Sequence, residues 1–320
     1  MMDLEILMHK SDMSKIRVKR HDHYKEWALK GDLPNSYYPA EAAFVNRLQT
    51  RPSQLFYPYQ FPYVDSDVYH YHVAFLVEAV ELLPLKMDLS FDAIWRAFEA
   101  FYKNSVMPQR DFKLNQEAPG LAANIDAKCE LNLLLDDMFK NIPVQSCEYL
   151  VERIFQQWQI PSTDYTKIVN RLNNPAGNHL TIVDFLNRVA AKYRAPNLHP
   201  DNHRKAAMLL RLALDGQEVD VQGSKITLPR SERISFFINA LLYTFRNDRF
   251  HGNVQPPFKS SVGTLQTYAH VHYCLIWAHF LLLFSMAISN PPFVKHRRLA
   301  ENTQRNLVAF RDFYGSHLKT

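Results

Sequence analysis

Apolar residues recur at helical spacing through most of the chain after Ser66, and this pattern constrains the fold more than any other feature. In residues 230–246 the apolar side chains are spaced so that they share one face of a helix. Only 8 of the 320 residues are glycine, which argues against a turn-rich all-β chain. The sequence therefore predicts an all-α protein. The predicted helices span residues 66–83, 90–104, 127–140, 147–158, 164–172, 180–193, 202–214, 230–246 and 262–289.

One short segment interrupts the helical pattern. In EVDVQGSKITL (218–228), apolar and polar residues alternate on both sides of Gly223-Ser224. Alternation around a glycine-containing turn is typical of a β-hairpin. We therefore expect one small hairpin within the helical fold.

The chain divides by composition into three parts. Residues 1–64 are predicted to be an irregular arm, residues 65–160 a helical accessory region, and residues 161–320 a helical bundle. The arm contains a basic run between Lys10 and Lys25, followed by the aromatic stretch LFYPYQFPYVD. Prolines in that stretch forbid a continuous helix. We favour an extended segment packed on the helical body over a platform on which RNA bases stack.

Composition also narrows the class of protein. The three cysteines are widely spaced and form no CxxC pair, which fits a reducing cytoplasm better than a disulfide framework. The most apolar run, residues 274–288, is shorter than the roughly 20 residues that a bilayer span requires. We expect a buried helix there, no membrane association, and a cytoplasmic protein. The net charge of +5 permits a polyanionic partner.

Arg246, Asn247 and His251 lie where the predicted 230–246 helix ends. A guanidinium holds a phosphate with two hydrogen bonds. An imidazole exchanges protons near neutral pH, and the Asn247 amide can hold a phosphate oxygen or the imidazole. These three groups suffice for RNA cleavage in which the 2′-OH attacks the neighbouring phosphate.

The segment FRNDRFHG (245–252) resembles the R-x4–6-H motif of the HEPN superfamily, particularly its phage-defence and abortive-infection members. The resemblance covers residues 230–290. It implies a HEPN-like helical bundle and a metal-independent endoribonuclease with Arg246, Asn247 and His251 as catalytic residues. It also implies a homodimer in which two motifs face each other, and an RNA substrate. Such a nuclease is expected to be restrained by a regulatory protein partner, a bound RNA or a small-molecule signal.

Three other arginine–histidine pairs have the same spacing: Arg17/His23, Arg194/His199 and Arg311/His317. Only the Arg246/His251 pair combines a polar residue after the arginine with strong predicted helices on both sides. The alternative to a catalytic motif is a capped turn in which Arg246 only binds the carbonyl groups at the end of a helix.

Residues near the motif also have expected roles. Arg249 is expected either as a second phosphate contact or as a solvated charge, and Lys259 as a further contact to RNA. Asp248 is expected to form helix-end hydrogen bonds, and Ser260 or Ser261 to cap the next helix. The basic group that begins at Lys295 either extends an RNA groove or is only solvated.

No metal or cofactor is expected. The histidine pairs are two residues apart, which on a helix directs the rings to different faces. Metal chelation on a helix favours spacings of three or four residues. These pairs are His21/His23, His70/His72 and His270/His272.

Two further functions compete with the nuclease. One is a non-catalytic HEPN-like module that binds RNA or protein. The other is a helical adaptor in which Arg246 and His251 only stabilise a turn. A nuclease requires both side chains to be exposed, whereas the adaptor requires both to be buried with their hydrogen bonds satisfied.

Overall fold

Helices form nearly all of the regular structure in the described part of the chain. The computed structural model describes residues 2–25, 38–51, 54–106, 114–155, 163–172, 180–193, 200–260, 262–289 and 292–318. The helices are α1 (Met2–Lys25), α2 (Pro39–Thr50), α3 (Asp67–Glu81), α4 (Met87–Phe101), α5 (Leu114–Asp126), α6 (Asn132–Lys140), α7 (Val144–Phe155), α8 (Thr163–Leu172), α9 (Leu180–Tyr193), α10 (Pro200–Leu214), α11 (Arg230–Phe236), α12 (Tyr243–Phe250), α13 (Leu265–Ile288) and α14 (His296–Tyr314). The fold is all-α with one small hairpin, as the sequence predicts.

The hairpin joins β1 (Val219–Val221) to β2 (Ser224–Ile226). The two strands are antiparallel, with Val219 opposite Ile226. Gly223 lies in the turn with a φ of 77°, a backbone conformation that glycine adopts readily. Its N–H donates a hydrogen bond to the Asp220 carboxylate. The turn chemistry therefore explains why the helical pattern stops here.

Helices α11 and α12 form one continuous helical segment. Between them, Phe237–Leu242 form a wider π-helical turn whose side chains are all buried. Such turns occur mainly as insertions within α-helices and are frequent at functional sites. The segment places the predicted motif at its carboxyl end, where α12 stops at Phe250.

Helix α13 begins three residues later than the sequence predicts. Its N-cap is Thr264, whose hydroxyl accepts a hydrogen bond from the Thr267 backbone N–H. Ser260 lies outside the helix, so its expected capping role is wrong, and Ser261 lies outside the described residues. A threonine next to the first helical residue satisfies the free N–H groups that serines farther away cannot reach.

Helix α13 is the centre of the fold. It packs along α4 on one side and against α14 on another. It is long and apolar enough to cross a membrane, but 94% of its most apolar window is buried inside the protein. Since every residue from Tyr268 to Ala287 is buried, α13 is the core helix that the apolar run predicts.

The prediction that residues 1–64 are irregular is wrong for two segments. Met2–Lys25 and Pro39–Thr50 are helices. No glycine or proline occurs from residue 2 to residue 25, so nothing in that segment interrupts a helix. Pro39 is the first residue of α2, a position where its missing N–H is harmless.

The aromatic and proline-rich segment is extended and packs on the helical body, as the sequence favours. Leu55, Phe56 and Tyr59 are buried. The Tyr57 backbone N–H donates to Asn306 Oδ1 at 2.7 Å, and Asn306 Nδ2 donates to the Tyr57 carbonyl at 3.1 Å. The Asn306 side chain on α14 thereby replaces the hydrogen-bond partners that the prolines prevent this segment from finding in a helix.

Besides α1 and α2, helices α5 and α14 are absent from the sequence-based prediction. Pro119 lies inside α5, where it removes one backbone hydrogen bond. Leu121 and Ile125 of the same helix are fully buried, and this burial outweighs the lost bond. In α14, the basic residues at its start obscure an apolar face that includes Leu307 and Phe310.

A single hydrophobic cluster extends from Phe44 to Leu318. It includes residues on both sides of the predicted boundaries at 64/65 and 160/161. The contact between α4 and α13 is the most extensive helix pairing in the described structure. The accessory region and the bundle therefore share one core.

Four histidines are buried in this core, and burial lowers the pKa of each ring. The pKa falls from the ordinary value of 6.5 to about 4 for His72 and to about 3 for His270, His272 and His279. A neutral imidazole avoids the free-energy cost of placing a charge in an apolar interior.

We expect the free energy of unfolding to fall as the pH is lowered from 6.5 towards 4. In that range the unfolded chain binds protons that the folded chain does not, so each buried histidine contributes at most about 1.4 kcal/mol per pH unit. Urea unfolding at a series of pH values measures this slope. His272→Phe should reduce the slope.

The control for that experiment is Leu282→Ala, which removes a fully buried side chain from the same helix. It should lower stability by about 2–5 kcal/mol without changing the pH slope. Equal pH slopes for wild type and His272→Phe would contradict the interpretation that the buried His272 ring stays neutral in the folded protein.

Candidate functional site

The predicted motif lies at the carboxyl end of α12. Arg246 and Asn247 are half-buried, and His251 is the exposed residue that ends the helix. The His251 backbone N–H donates to the Asn247 carbonyl at 2.9 Å. The structure therefore brings the three predicted catalytic residues to one helix end.

Arg246 is held from three directions. Its Nη1 donates to Asn247 Oδ1 at 3.0 Å, and its Nη2 donates to Glu99 Oε2 at 3.2 Å. The guanidinium carbon lies 4.4 Å from the centroid of the Phe250 ring, a cation–π distance. Since each terminal nitrogen carries two N–H groups, each keeps one for a further acceptor.

The Arg246 side chain is 26% exposed, so a phosphate can approach it. The Phe250 ring that covers one side of the guanidinium is itself 53% exposed. This surface presents a cation and an aromatic face to solvent beside His251. Both groups bind single-stranded nucleic acid in other proteins, the first through phosphates and the second through bases.

The His251 ring is exposed and makes no hydrogen bond or ion pair within the described part of the chain. No hydrogen bond joins the side chains of Arg246 and His251 in the described structure. The ring therefore retains both nitrogens for proton transfer. The exposed His251 does not fit the adaptor hypothesis, whereas the half-buried Arg246, bound by Asn247 and Glu99, does not fit the exposure of both side chains expected of a nuclease.

Arg249 is part of a buried ion-pair cluster. Its Nη1 lies 3.0 Å from Asp88 Oδ2, and its Nη2 lies 2.6 Å from Asp92 Oδ2. The side chain is only 8% exposed. Burial alone lowers the pKa of Arg249, but the hydrogen bonds and charges of the two aspartates outweigh it and raise the pKa.

The predicted role of Arg249 as a phosphate contact or a solvated charge is therefore wrong. Both of its terminal nitrogens are already bound by carboxylates in a site that solvent barely reaches. A phosphate would have to displace an aspartate, which would leave a buried carboxylate without a partner.

The three acidic partners lie on one stripe of α4. Asp88, Asp92 and Glu99 follow one another at spacings of four and seven residues, which places them on the same helical face. Sequence reasoning missed these residues. Their spacing was the available signal, but nothing in the sequence says that α4 packs beside α12.

Asp248 joins the motif helix to α7. It lies 2.9 Å from Arg153 Nε and accepts a hydrogen bond from the Tyr149 hydroxyl at 2.5 Å. Its carbonyl and its carboxylate both accept hydrogen bonds from Asn253. The expected helix-end role of Asp248 is confirmed, and burial together with the Asp248 charge raises the pKa of Tyr149.

Lys259 lies farther along the loop that follows the motif. Its Nζ is 3.0 Å from Glu41 Oε2 and 4.5 Å from the centroid of the Tyr38 ring. Lys19 of α1 approaches the same ring at 4.9 Å. Lys259 is 40% exposed, so the predicted contact to RNA is sterically open although the ammonium already has a carboxylate partner.

The competing pair Arg311/His317 is not assembled as a site. Arg311 Nη1 lies 3.2 Å from Asp137 Oδ1, and His317 lies in a short 3₁₀ turn after α14. Arg194 and His199 lie outside the described residues. Among the described residues, no group of three or more histidine, cysteine, aspartate or glutamate side chains is arranged to hold a metal ion.

The chain matches no protein-family model, no curated protein and no solved structure.

We expect Arg249→Ala to lower the free energy of unfolding by about 3–5 kcal/mol, because it leaves Asp88 and Asp92 buried without a cation. Urea unfolding measures this loss. The matched control is Arg297→Ala, which removes an arginine that is 90% exposed and paired with Glu301. It should cost less than about 0.5 kcal/mol.

The triple variant Asp88→Asn, Asp92→Asn, Arg249→Met removes the charges together. It should recover part of the free energy of unfolding that Arg249→Ala loses. A fully stable Arg249→Ala protein with weakened RNA binding would instead restore the phosphate-contact interpretation.

Proposed function

We propose that this protein is a metal-independent endoribonuclease of the HEPN type that serves as a defence or toxin effector. The observation that carries the proposal is the exposed His251 ring, which has no hydrogen-bond partner among the described residues and lies at the helix end that also presents Arg246 and Asn247. His251 acts as the acid or base, and Arg246 stabilises the charge that develops on the scissile phosphate.

Contacts around Arg246 support its role in charge stabilisation. Glu99 and Asn247 fix the orientation of the guanidinium before RNA binds. A group that is already oriented does not have to reorganise as charge develops in the transition state. One N–H on each terminal nitrogen is left to bind the phosphate.

The reaction requires a second proton-transfer group, because the 2′-OH loses a proton and the 5′-oxygen gains one. One motif supplies a single imidazole. We propose that a second copy of the chain supplies the other, so that two His251 residues face each other across a homodimer. RNA cleavage would then be restrained by a regulatory protein or RNA that covers this surface.

One observation favours the non-catalytic alternative, a module that binds RNA or protein. Glu99 already neutralises Arg246 at 3.2 Å, which lowers the affinity of the guanidinium for a phosphate. Under this alternative the Arg246–Glu99 pair is structural, and the basic and aromatic surface binds its partner without cutting it.

We expect His251→Ala to reduce RNA cleavage by roughly 10²–10⁴-fold, the usual contribution of a positioned acid or base. Arg246→Lys should retain little activity, because an ammonium lacks the planar fork of a guanidinium. Cleavage of labelled single-stranded RNA by purified protein is the measurement, with thermal melts matched to wild type.

The control for this comparison is His317→Ala, which changes the histidine of the competing pair and should leave cleavage unchanged. If His317→Ala abolishes cleavage and His251→Ala does not, the motif assignment is wrong. If wild-type protein binds RNA without cutting it, the non-catalytic alternative replaces the nuclease.

We also expect cleavage to persist in excess EDTA and to leave a 2′,3′-cyclic phosphate on the 5′ product, because the nucleophile is the 2′-oxygen. Mass spectrometry of the products identifies this end group. An RNA with a 2′-deoxy group at the cut position should resist cleavage. Activity that EDTA abolishes and magnesium restores would point to a metal-dependent reaction.

A further inference from the structure

A pocket lies away from the motif, between the segment of residues 54–61, helix α3 and helix α13. Its volume is about 190 Å³, and no residue of the motif lines it. Phe56 and Tyr59 form one wall, and Leu76 and Val77 of α3 form another. Val77 is 48% exposed, so the pocket opens to solvent at that rim.

An adjoining pocket of about 320 Å³ shares Phe56, Pro58 and Val80 with the first. The two pockets lie side by side beneath the proline-rich segment. A cavity of about 150 Å³ is enough to hold a benzene ring. The smaller pocket therefore has room for a ring with a substituent, but not for a folded peptide element.

His279 supplies an imidazole to the lining of the smaller pocket. The residue is 3% exposed, and its ring contacts Phe56 edge-on with the centroids 4.9 Å apart. No hydrogen bond of this ring is present within the described part of the chain, and its nitrogens are not among the fully enclosed polar atoms that lack a partner. A ligand in the pocket can therefore supply a hydrogen-bond partner to the ring.

Burial keeps this imidazole neutral, because it lowers the pKa of His279 to about 3. A neutral imidazole offers one N–H donor and one nitrogen acceptor. Among the described residues, no lysine, arginine, aspartate or glutamate lines the pocket. An ionised ligand would therefore lose its hydration without gaining a counter-charge.

We propose that this pocket binds a small, uncharged, largely apolar molecule whose single hydroxyl, carbonyl or amide group forms a hydrogen bond with His279. The aromatic and aliphatic walls hold the apolar body of the ligand, and the imidazole fixes its orientation. Sites of this composition, apolar with a few placed polar groups, are typical of small-molecule pockets. The proposal is independent of the nuclease assignment.

The test uses two probes that differ in one hydroxyl, p-cresol and toluene, with the full-length protein. Ligand-observed NMR titration measures the two dissociation constants. In wild type both probes should bind saturably. In His279→Leu the affinity for p-cresol should fall at least about fivefold, because its hydroxyl is buried without a partner, while the affinity for toluene should not fall.

A second pair of variants tests the location of the site. Val77→Trp fills the rim of the pocket and should abolish binding of both probes. Val68→Trp places the same side chain on the same helix at a position of matched exposure, 47% against 48%, and should have no effect. Both positions are exposed, so both variants should fold.

Three results would overturn the proposal: the absence of saturable binding of either probe to wild type, equal loss of both probes in His279→Leu, or equal binding to Val77→Trp and wild type. Since each measurement uses binding and not RNA cleavage, the proposal stands or falls separately from the nuclease.

Discussion

Burial of α13 is the constraint on which the rest of the structure depends. Its twenty residues from Tyr268 to Ala287 are all buried, so other helices must cover it on every side. Helix α4 covers one side and α14 another. Helix α13 also carries three buried histidines, and burial away from water keeps their rings neutral.

Helix α4 connects this core to the candidate site. One of its faces buries Phe91, Trp95 and Phe98. Its acidic stripe faces α12, where Asp88 and Asp92 bind Arg249 and Glu99 binds Arg246. The two arginines have different environments. Arg249 is enclosed and supports the helix, whereas Arg246 retains exposure and unused donors. Contacts with α4 thus give two arginines that are three residues apart different roles. Arg249 is structural, and Arg246 is a candidate catalytic residue.

The fold also places the candidate site and the pocket near His279 on one layer of helices. Both lie at the surface of the α4–α13 layer: Glu99 of α4 contacts Arg246, and Ile94 of α4 lines the pocket that contains His279. The proline-rich segment forms the pocket because it cannot be helical and must run extended across α3 and α13. Asn306 fixes it there through the Tyr57 backbone.

The sequence by itself determined the helical class, the hairpin, the central helix and the chemistry of the motif. Periodicity sets an apolar face wherever the local pattern is strong, as in residues 230–246 and in α13. The tertiary structure decided which charged side chains of the motif remain accessible to solvent. Arg246 and Arg249 look alike in the sequence, but α4 encloses one and leaves the other partly exposed. Likewise, Pro119 and the basic start of α14 oppose helix formation locally, and only burial against distant residues overrides them. Those contacts join residues far apart in the chain, so no local pattern encodes them.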